Sequence, residues 1–199
     1  MSKFERKLKR ADLKLRKNSW KKGRREMWYV VWTTTGKEEQ CRVMIERKCD
    51  SNTYDRLVIP KNSIKKYVKG RWTTTETKLF PSYLFVKSEE IEAFAEELKK
   101  VTGFLQVLQN DEIFLPISPE EEKFLRRFLE TEEVLPESYG VKEGDKVRIL
   151  EGPLVGMEGL IKFIDRHKRM AVLEAELFGR KVEMKMGLEV VKCEKDTEG

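Results

Sequence analysis

Near residue 141 the period of the apolar residues changes, and the change divides the chain into two kinds of folding unit. Before it, helical and strand periods alternate. Trp28-Tyr29-Val30-Val31-Trp32-Thr33 is an aromatic and β-branched run that reads as a buried strand. Thr35 with Glu38 fits a capping box, and a helix follows to about Lys48 with Cys41, Met44 and Ile45 on one face. Residues 57–60 form a short strand, 61–78 a long basic hairpin turning near Lys69-Gly70-Arg71, and 84–86 a further strand. Ser88 is placed to cap an amphipathic helix whose stripe is Ile91, Phe94, Ala95, Leu98 and Val101, and Gly103 stops it. A strand from Phe104 to Leu108 and a shorter one at 113–115 precede the last helix. Ser118, Pro119 and Glu121 open that helix, and Phe124, Leu125, Phe128 and Leu129 are its inner face.

After the change only strand period remains. Val147 and Ile149 alternate, as do Ala171, Leu173, Ala175 and Leu177, and then Val182, Met184 and Met186. Turns fall at residues 151–153, 165–169, 178–180 and 187, which is the spacing of a small barrel. The expected fold is therefore α+β: an α/β sandwich with an antiparallel sheet, followed by a small all-β barrel of five strands. The expected boundaries are a basic extension at 1–26, a first domain at 27–131, a linker at 132–141 carrying Pro136 and Gly140, and the barrel at 142–195.

Charge is unevenly spread over the 199 residues. Residues 1–26 hold 12 Lys/Arg against 3 Asp/Glu, a net of +9, so the remainder of a chain with net charge +6 carries −3. Within that remainder, residues 28–87 carry +6 and residues 88–133 carry −8, which predicts a basic and an acidic face on one domain. The 28 Glu and 26 Lys against 3 Gln and 4 Asn resemble thermophile usage. Phe4, Leu8, Ala11 and Leu15 give the extension a thin helical stripe, and Met27 stands where a start codon could lie.

Little in the sequence supports catalysis. There is no glycine-rich phosphate loop, GxSxG or HExxH, and the one histidine, His167, sits in a basic turn. Cys41, Cys49 and Cys193 are an odd set without a CxxC pair, which points to free thiols in a reducing, cytoplasmic compartment. No metal, cofactor or catalytic residue is expected, and no apolar run is long enough for a membrane helix. The chain reads as a binding module.

Two groups of residues carry a resemblance. Trp28-Tyr29-Val30-Val31, Leu79-Phe80-Pro81-Ser82-Tyr83-Leu84-Phe85-Val86 and Val101-Thr102-Gly103-Phe104-Leu105 resemble the N-terminal (NGN) domain of the NusG/Spt5 transcription factors. Gly144-Asp145-Lys146-Val147-Arg148-Ile149, Gly152-Pro153-Leu154, Gly156-Met157-Glu158-Gly159 and Leu177-Phe178-Gly179-Arg180 resemble the SH3-like KOW domain that follows it. The resemblance implies an RNA polymerase partner, gripped at the clamp helices and the gate loop, with the cleft bridged and elongation favoured. It implies that Trp28, Phe80 and Tyr83 form the apolar polymerase-binding surface. Ser82 departs from the glycine usual in the general factor, and Leu154 and Met157 replace aromatics of its KOW partner surface, which counts against ribosomal protein S10 or Rho as partners. Thr34-Thr35 replaces the basic pair of RfaH-type proteins. These departures resemble LoaP-type antiterminators, which act with a leader RNA hairpin. Lys162, Arg166, Lys168, Arg169, Arg180 and Lys181, near Phe163 and Phe178, are the candidate RNA-binding residues, because cations supply phosphate contacts.

Three functions follow as expectations. The first is a specialised antitermination and processive elongation factor that binds polymerase and suppresses pausing. The second is a housekeeping elongation factor coupling polymerase to Rho or the ribosome. The third is a stand-alone RNA-binding or ribosome-associated KOW protein. A monomer is the default state.

Overall fold

The computed structural model describes residues 26–103, 105–110, 113–130, 134–143 and 146–192. The basic extension expected at 1–26, apart from Glu26, and Cys193 lie outside the described residues.

The first domain is built on a four-stranded antiparallel sheet in the order β2–β5–β1–β6: β1 (Met27–Thr33), β2 (Arg56–Val58), β5 (Tyr83–Ser88) and β6 (Leu105–Val107). β1 and β5 lie in its centre and are buried on both faces, which is why their sequences are near-continuous apolar runs. One face carries Tyr29, Val31, Leu84 and Val86 against helices α1 (Glu38–Lys48) and α2 (Ile91–Leu98), through Cys41, Ile45, Ile91, Phe94 and Leu98. The opposite face carries Trp28, Val30, Tyr83 and Phe85 and packs with Leu125, Phe128 and Leu129 of α3 (Pro119–Leu129). Ser118 and Glu121 form the expected capping box at the start of α3, with Pro119 in the first turn.

After β6, β7 (Gln109–Asn110) and β8 (Ile113–Phe114) make a short two-stranded ribbon. The basic hairpin is β3 (Lys61–Val68) and β4 (Arg71–Lys78), fully paired along its length. Its two-residue turn puts both Lys69 and Gly70 at positive φ, 50° and 81°, as the hairpin-favouring type I′ turn requires.

The second domain is a five-stranded sheet in the order β11–β10–β14–β13–β12: β10 (Ser138–Glu143), β11 (Lys146–Glu151), β12 (Ile161–Asp165), β13 (Met170–Leu177) and β14 (Arg180–Lys192). Its buried side chains include Ile149, Ala171, Leu173, Leu177, Val182, Met184 and Met186 of the alternating set expected from the sequence, of which Val147 and Ala175 are only half-buried; Leu188 joins them, and so do Leu154 and Met157, which the resemblance puts at a partner surface.

Three local readings differ from the structure. Thr35 and Glu38 make no capping box; α1 is preceded by Lys37 with no side-chain cap. Glu38 is instead buried, taking Lys78 Nζ at 2.6 Å and the Ser82 N–H at 2.8 Å, while Thr35 Oγ1 meets Ser82 Oγ at 2.5 Å. Ser88 ends β5 rather than capping α2 directly, although its hydroxyl accepts the Glu90 N–H. Residues 132–141 are not a bare connection. β9 (Val134–Leu135) adds in parallel to β3, and β10 begins at Ser138 and runs parallel to β14. Sequence periodicity misses β9 because two residues are too few to show alternation, and β10 because its Ser138-Tyr139-Gly140-Val141-Lys142-Glu143 sequence has no regular apolar alternation.

Joined in this way, the two sequence units share one apolar core. Trp28, Phe80, Tyr83, Phe85, Leu125 and Phe128 of the first belong to the same buried cluster as Leu173, Leu177, Met184 and Leu188 of the second. A buried polar latch fixes the register. Asn62 of β3 is wholly buried; its Nδ2 donates to the Lys185 carbonyl at 3.0 Å and its Oδ1 accepts the Gly187 N–H at 3.1 Å. The chains are so close here that a Cβ on Gly187 would stand 2.4 Å from the Ser63 carbonyl oxygen. Nearby, Lys65 Nζ pairs with Glu137 at 2.7 Å and Glu189 at 2.8 Å.

Two outcomes follow from these contacts. Asn62→Ala leaves a buried carbonyl and N–H short of a partner, and should cost about 1–3 kcal/mol in urea unfolding. Burial pushes the Glu38 carboxyl upward, but the hydrogen bonds from Lys78 and the Ser82 N–H outweigh it and hold it at about 2, against an ordinary 4.5. A depressed folded-state value stabilises above the unfolded value and loses that contribution as pH falls. The stability gap between the wild type and Glu38→Gln should therefore be full at neutral pH and shrink from about pH 4.5 toward pH 2.

Candidate functional site

The segment entering β5 is a tight turn, with the Tyr83 N–H donating to the Phe80 carbonyl at 3.2 Å. Pro81 sits at its second position and Ser82, at φ 75°, at its third, which is the pattern of a type II turn. That third position favours glycine, so the serine is held by its contacts: Glu38 accepts its N–H, and its hydroxyl shares a hydrogen bond with that of Thr35. The turn fixes where Tyr83 emerges onto the sheet face.

All three residues of the expected polymerase-binding surface are buried: Trp28 is 2%, Phe80 1% and Tyr83 5% exposed. They are covered in different ways. Phe80 packs within the first domain, edge to face with Phe85 at 5.3 Å and Phe128 at 6.1 Å. Trp28 lies in the same cluster, on β1. Tyr83 is covered from the barrel: the Phe178 ring lies 5.8 Å from it and the Arg180 guanidinium sits 5.0 Å over its face. Phe178 also reaches Phe85, at 6.1 Å.

Phe178 is held there against its own backbone preference. It stands in the two-residue turn between β13 and β14 with φ at 55°, followed by Gly179 at 70°. A non-glycine residue in this region costs on the order of 1–2 kcal/mol. Ring packing against Tyr83 and Phe85 offsets that cost, and Glu121 Oε1 accepts the Phe178 N–H at 2.6 Å. The same glutamate uses Oε2 to accept the Ser118 N–H, so one side chain closes the α3 cap and anchors the barrel turn.

The six candidate RNA-binding residues do not form one cluster. Arg166, Lys168 and Arg169 lie in the turn between β12 and β13, and Arg180 begins β14 at the far end of β13. The eight residues of β13 separate those ends by roughly 23 Å at 3.3 Å per residue. Lys162 and Lys181 belong to a third group, an ion-pair ladder across the sheet. Lys162 meets Glu174 at 3.0 Å and Glu183 at 2.9 Å, and Lys181 meets Glu174 at 2.8 Å. Donating hydrogen bonds to the carboxylates of Glu183 and Glu174 holds the pKa of the Lys162 ammonium well above its ordinary value. Sequence reasoning saw six cations near turns but not the carboxylates opposite two of them, because cross-strand neighbours depend on register. It also passed over Asn62, which had only the signal of a polar residue in a strand, and it read Glu121 as a helix cap without its second contact, to the Phe178 N–H.

Among the described residues there is no group of three or more His, Cys, Asp or Glu placed to hold a metal, and no helix long and apolar enough to cross a membrane.

The described architecture is shared with known proteins. A solved structure of Thermotoga maritima NusG, described for its domain interaction, superposes with a TM-score of 0.54 at 24% identity, covering 82% of this chain and 94% of that one. The transcription termination/antitermination protein NusG of Rickettsia typhi is 23% identical over 172 residues, 84% of this chain and 90% of its own length. The Staphylococcus aureus protein of the same description is 27% identical over 160 residues, 77% and 87% of the two chains. Residues 26–126 match the family model for the transcription termination factor NusG, about half of the chain, so this protein belongs to the NusG family of transcription termination and antitermination factors.

Proposed function

We propose that this protein is an antitermination and processive elongation factor that binds RNA polymerase through its first domain, and that the barrel governs when it does so. The reading rests above all on one observation: Phe178 and Arg180 of the barrel sit directly on Tyr83. Tyr83, Phe85 and Trp28 make an aromatic face of the kind that anchors protein interfaces. In the closed form that face is spent on the protein's own barrel. Binding at the clamp helices through Tyr83 therefore requires the Phe178 turn to leave.

This makes polymerase binding conditional. If the open form is a fraction f of the population, apparent affinity falls by that fraction, so an open share of about 1% weakens binding about a hundredfold. A factor with such a threshold suits selected templates that carry a releasing signal. We favour the specialised role over the general one on this ground, with polymerase reached by protein–protein contact and no catalytic step. Leu154 and Met157, buried at 0% and 2% exposure, fill the barrel interior and offer nothing to an S10- or Rho-like partner in this form.

The decisive comparison uses purified RNA polymerase and three forms of the full chain. Phe178→Ala removes the ring from Tyr83 and should bind polymerase at least tenfold more tightly than the wild type. Tyr83→Ala added to Phe178→Ala should abolish that gain while the chain stays folded by circular dichroism. Equal binding by the wild type and Phe178→Ala, or full binding by the double variant, would contradict the reading. Single-round transcription past a terminator then separates the two roles: read-through that depends on a candidate operon leader supports the specialised factor, and equal read-through without it supports the general one.

A further inference from the structure

The tip of the β3–β4 hairpin exposes aromatic side chains that no core requires. Tyr67 is 63% exposed, Trp72 38% and Val68 48%. Tyr67 and Trp72 are cross-strand partners, their rings edge to face at 5.4 Å. Such a pair stabilises a hairpin, yet it leaves most of the Tyr67 ring in water. The barrel turn of residues 166–169 meets this tip. The Arg169 guanidinium stacks 4.1 Å from the centre of the Trp72 ring, and Glu189 fixes it at 2.9 Å. Lys69 of the hairpin turn and Arg166 of the barrel turn are exposed at this edge and in no ion pair with a described residue, whereas Lys66 and Arg71, equally exposed, alternate with Tyr67 and Trp72 and project from the other face of the hairpin. Lys168, 74% exposed, has only the flanking Asp165 at 3.5 Å.

We propose that the hairpin tip and the 166–169 turn form a composite platform for single-stranded RNA, assembled only in the closed form. Every base has a π face that can stack on the exposed Tyr67 ring, which Trp72 and Arg169 hold in place, and Lys69, Arg166 and Lys168 are the cations at the same edge for the phosphates of that strand. The charge at this edge stays net positive, because Asp165 and Glu189 are taken up by Lys168, Arg169 and Lys65 while Lys69 and Arg166 have no ion-pair partner among the described residues. It differs from the Lys162–Lys181 ladder, where carboxylates already occupy the cations. Half of the platform comes from each domain, so RNA bound here favours the arrangement that covers Tyr83, and release from RNA favours opening. The choice of RNA over DNA rests on the closed-form reading given above: with Tyr83 covered the factor is off the polymerase cleft, where the single strand within reach is the transcript and not the non-template strand.

The test is fluorescence anisotropy of a labelled 12-nucleotide oligouridylate with the full chain and no polymerase present, so failure of the platform leaves the polymerase reading to its own experiment. The wild type should bind. Tyr67→Ala/Trp72→Ala should bind at least tenfold more weakly with an unchanged circular dichroism spectrum. Arg166→Ala/Lys168→Ala should flatten the log–log salt slope by about 1.4, two phosphate contacts on a single strand. Phe178→Ala, distant from the platform, should also weaken binding by separating its halves. The proposal is overturned if the aromatic double variant binds as the wild type does, with the affinity residing in residues 1–26. It is equally overturned if oligothymidylate DNA binds more tightly than RNA, or if a polyglutamate peptide of equal charge competes as well as RNA, which would mark an acidic protein surface as the partner.

Discussion

The arrangement of this protein depends on one aromatic contact, Phe178 of the barrel against Tyr83 and Phe85 of the central sheet. It lets an aromatic residue occupy a left-handed turn position and turns the open face of the first domain into the floor of a shared core. Without it, that face would present a contiguous aromatic patch to water, which small soluble domains rarely tolerate unless a partner covers it. The contact is reinforced at two distances: close by, through Glu121 holding the Phe178 N–H, and across the barrel, through Asn62 holding Lys185 and Gly187. A buried amide that satisfies two backbone groups specifies register more sharply than apolar packing, because any slip leaves those groups unpaired.

The same residues serve structure and function in competition. Tyr83 is oriented by a turn whose strained Ser82 is held by Glu38 and Thr35, so its position is set before either partner arrives. The barrel and polymerase would then compete for one preformed face. In this scheme the closed form is a state with its own binding surface at the hairpin tip, and the two surfaces oppose each other through the domain arrangement. A modest energy gap suffices: a ligand shifts such an equilibrium only by its differential affinity for the two forms.

Much of the fold was legible in the sequence for physical reasons. The hairpin at 61–78 declared itself by length and by its Lys69-Gly70 turn, α3 by its cap, and β13 and β14 by strict alternation that matches their buried residues. Glu38 misled because a carboxylate three residues after a threonine looks the same whether it caps a helix or is drawn inward by a lysine 40 positions away. The candidate site was legible only in part. Trp28, Phe80 and Tyr83 could be recognised as a group, but not that Phe80 is committed to α3 while Tyr83 faces the barrel. Nor could a sequence with a +2 barrel reveal that Arg169 reaches Trp72, since 97 positions separate them and only the domain arrangement brings them to 4.1 Å.

The central claim is that the two domains of the free protein form one body with Tyr83 covered. Amide 15N relaxation of the full chain tests it most directly. The account predicts a single rotational correlation time for the strands of residues 27–107 and those of residues 138–192, with slow hydrogen exchange at the Phe178 amide that Glu121 holds. A barrel that tumbles faster than the first domain, with a rapidly exchanging Phe178 amide, would contradict it.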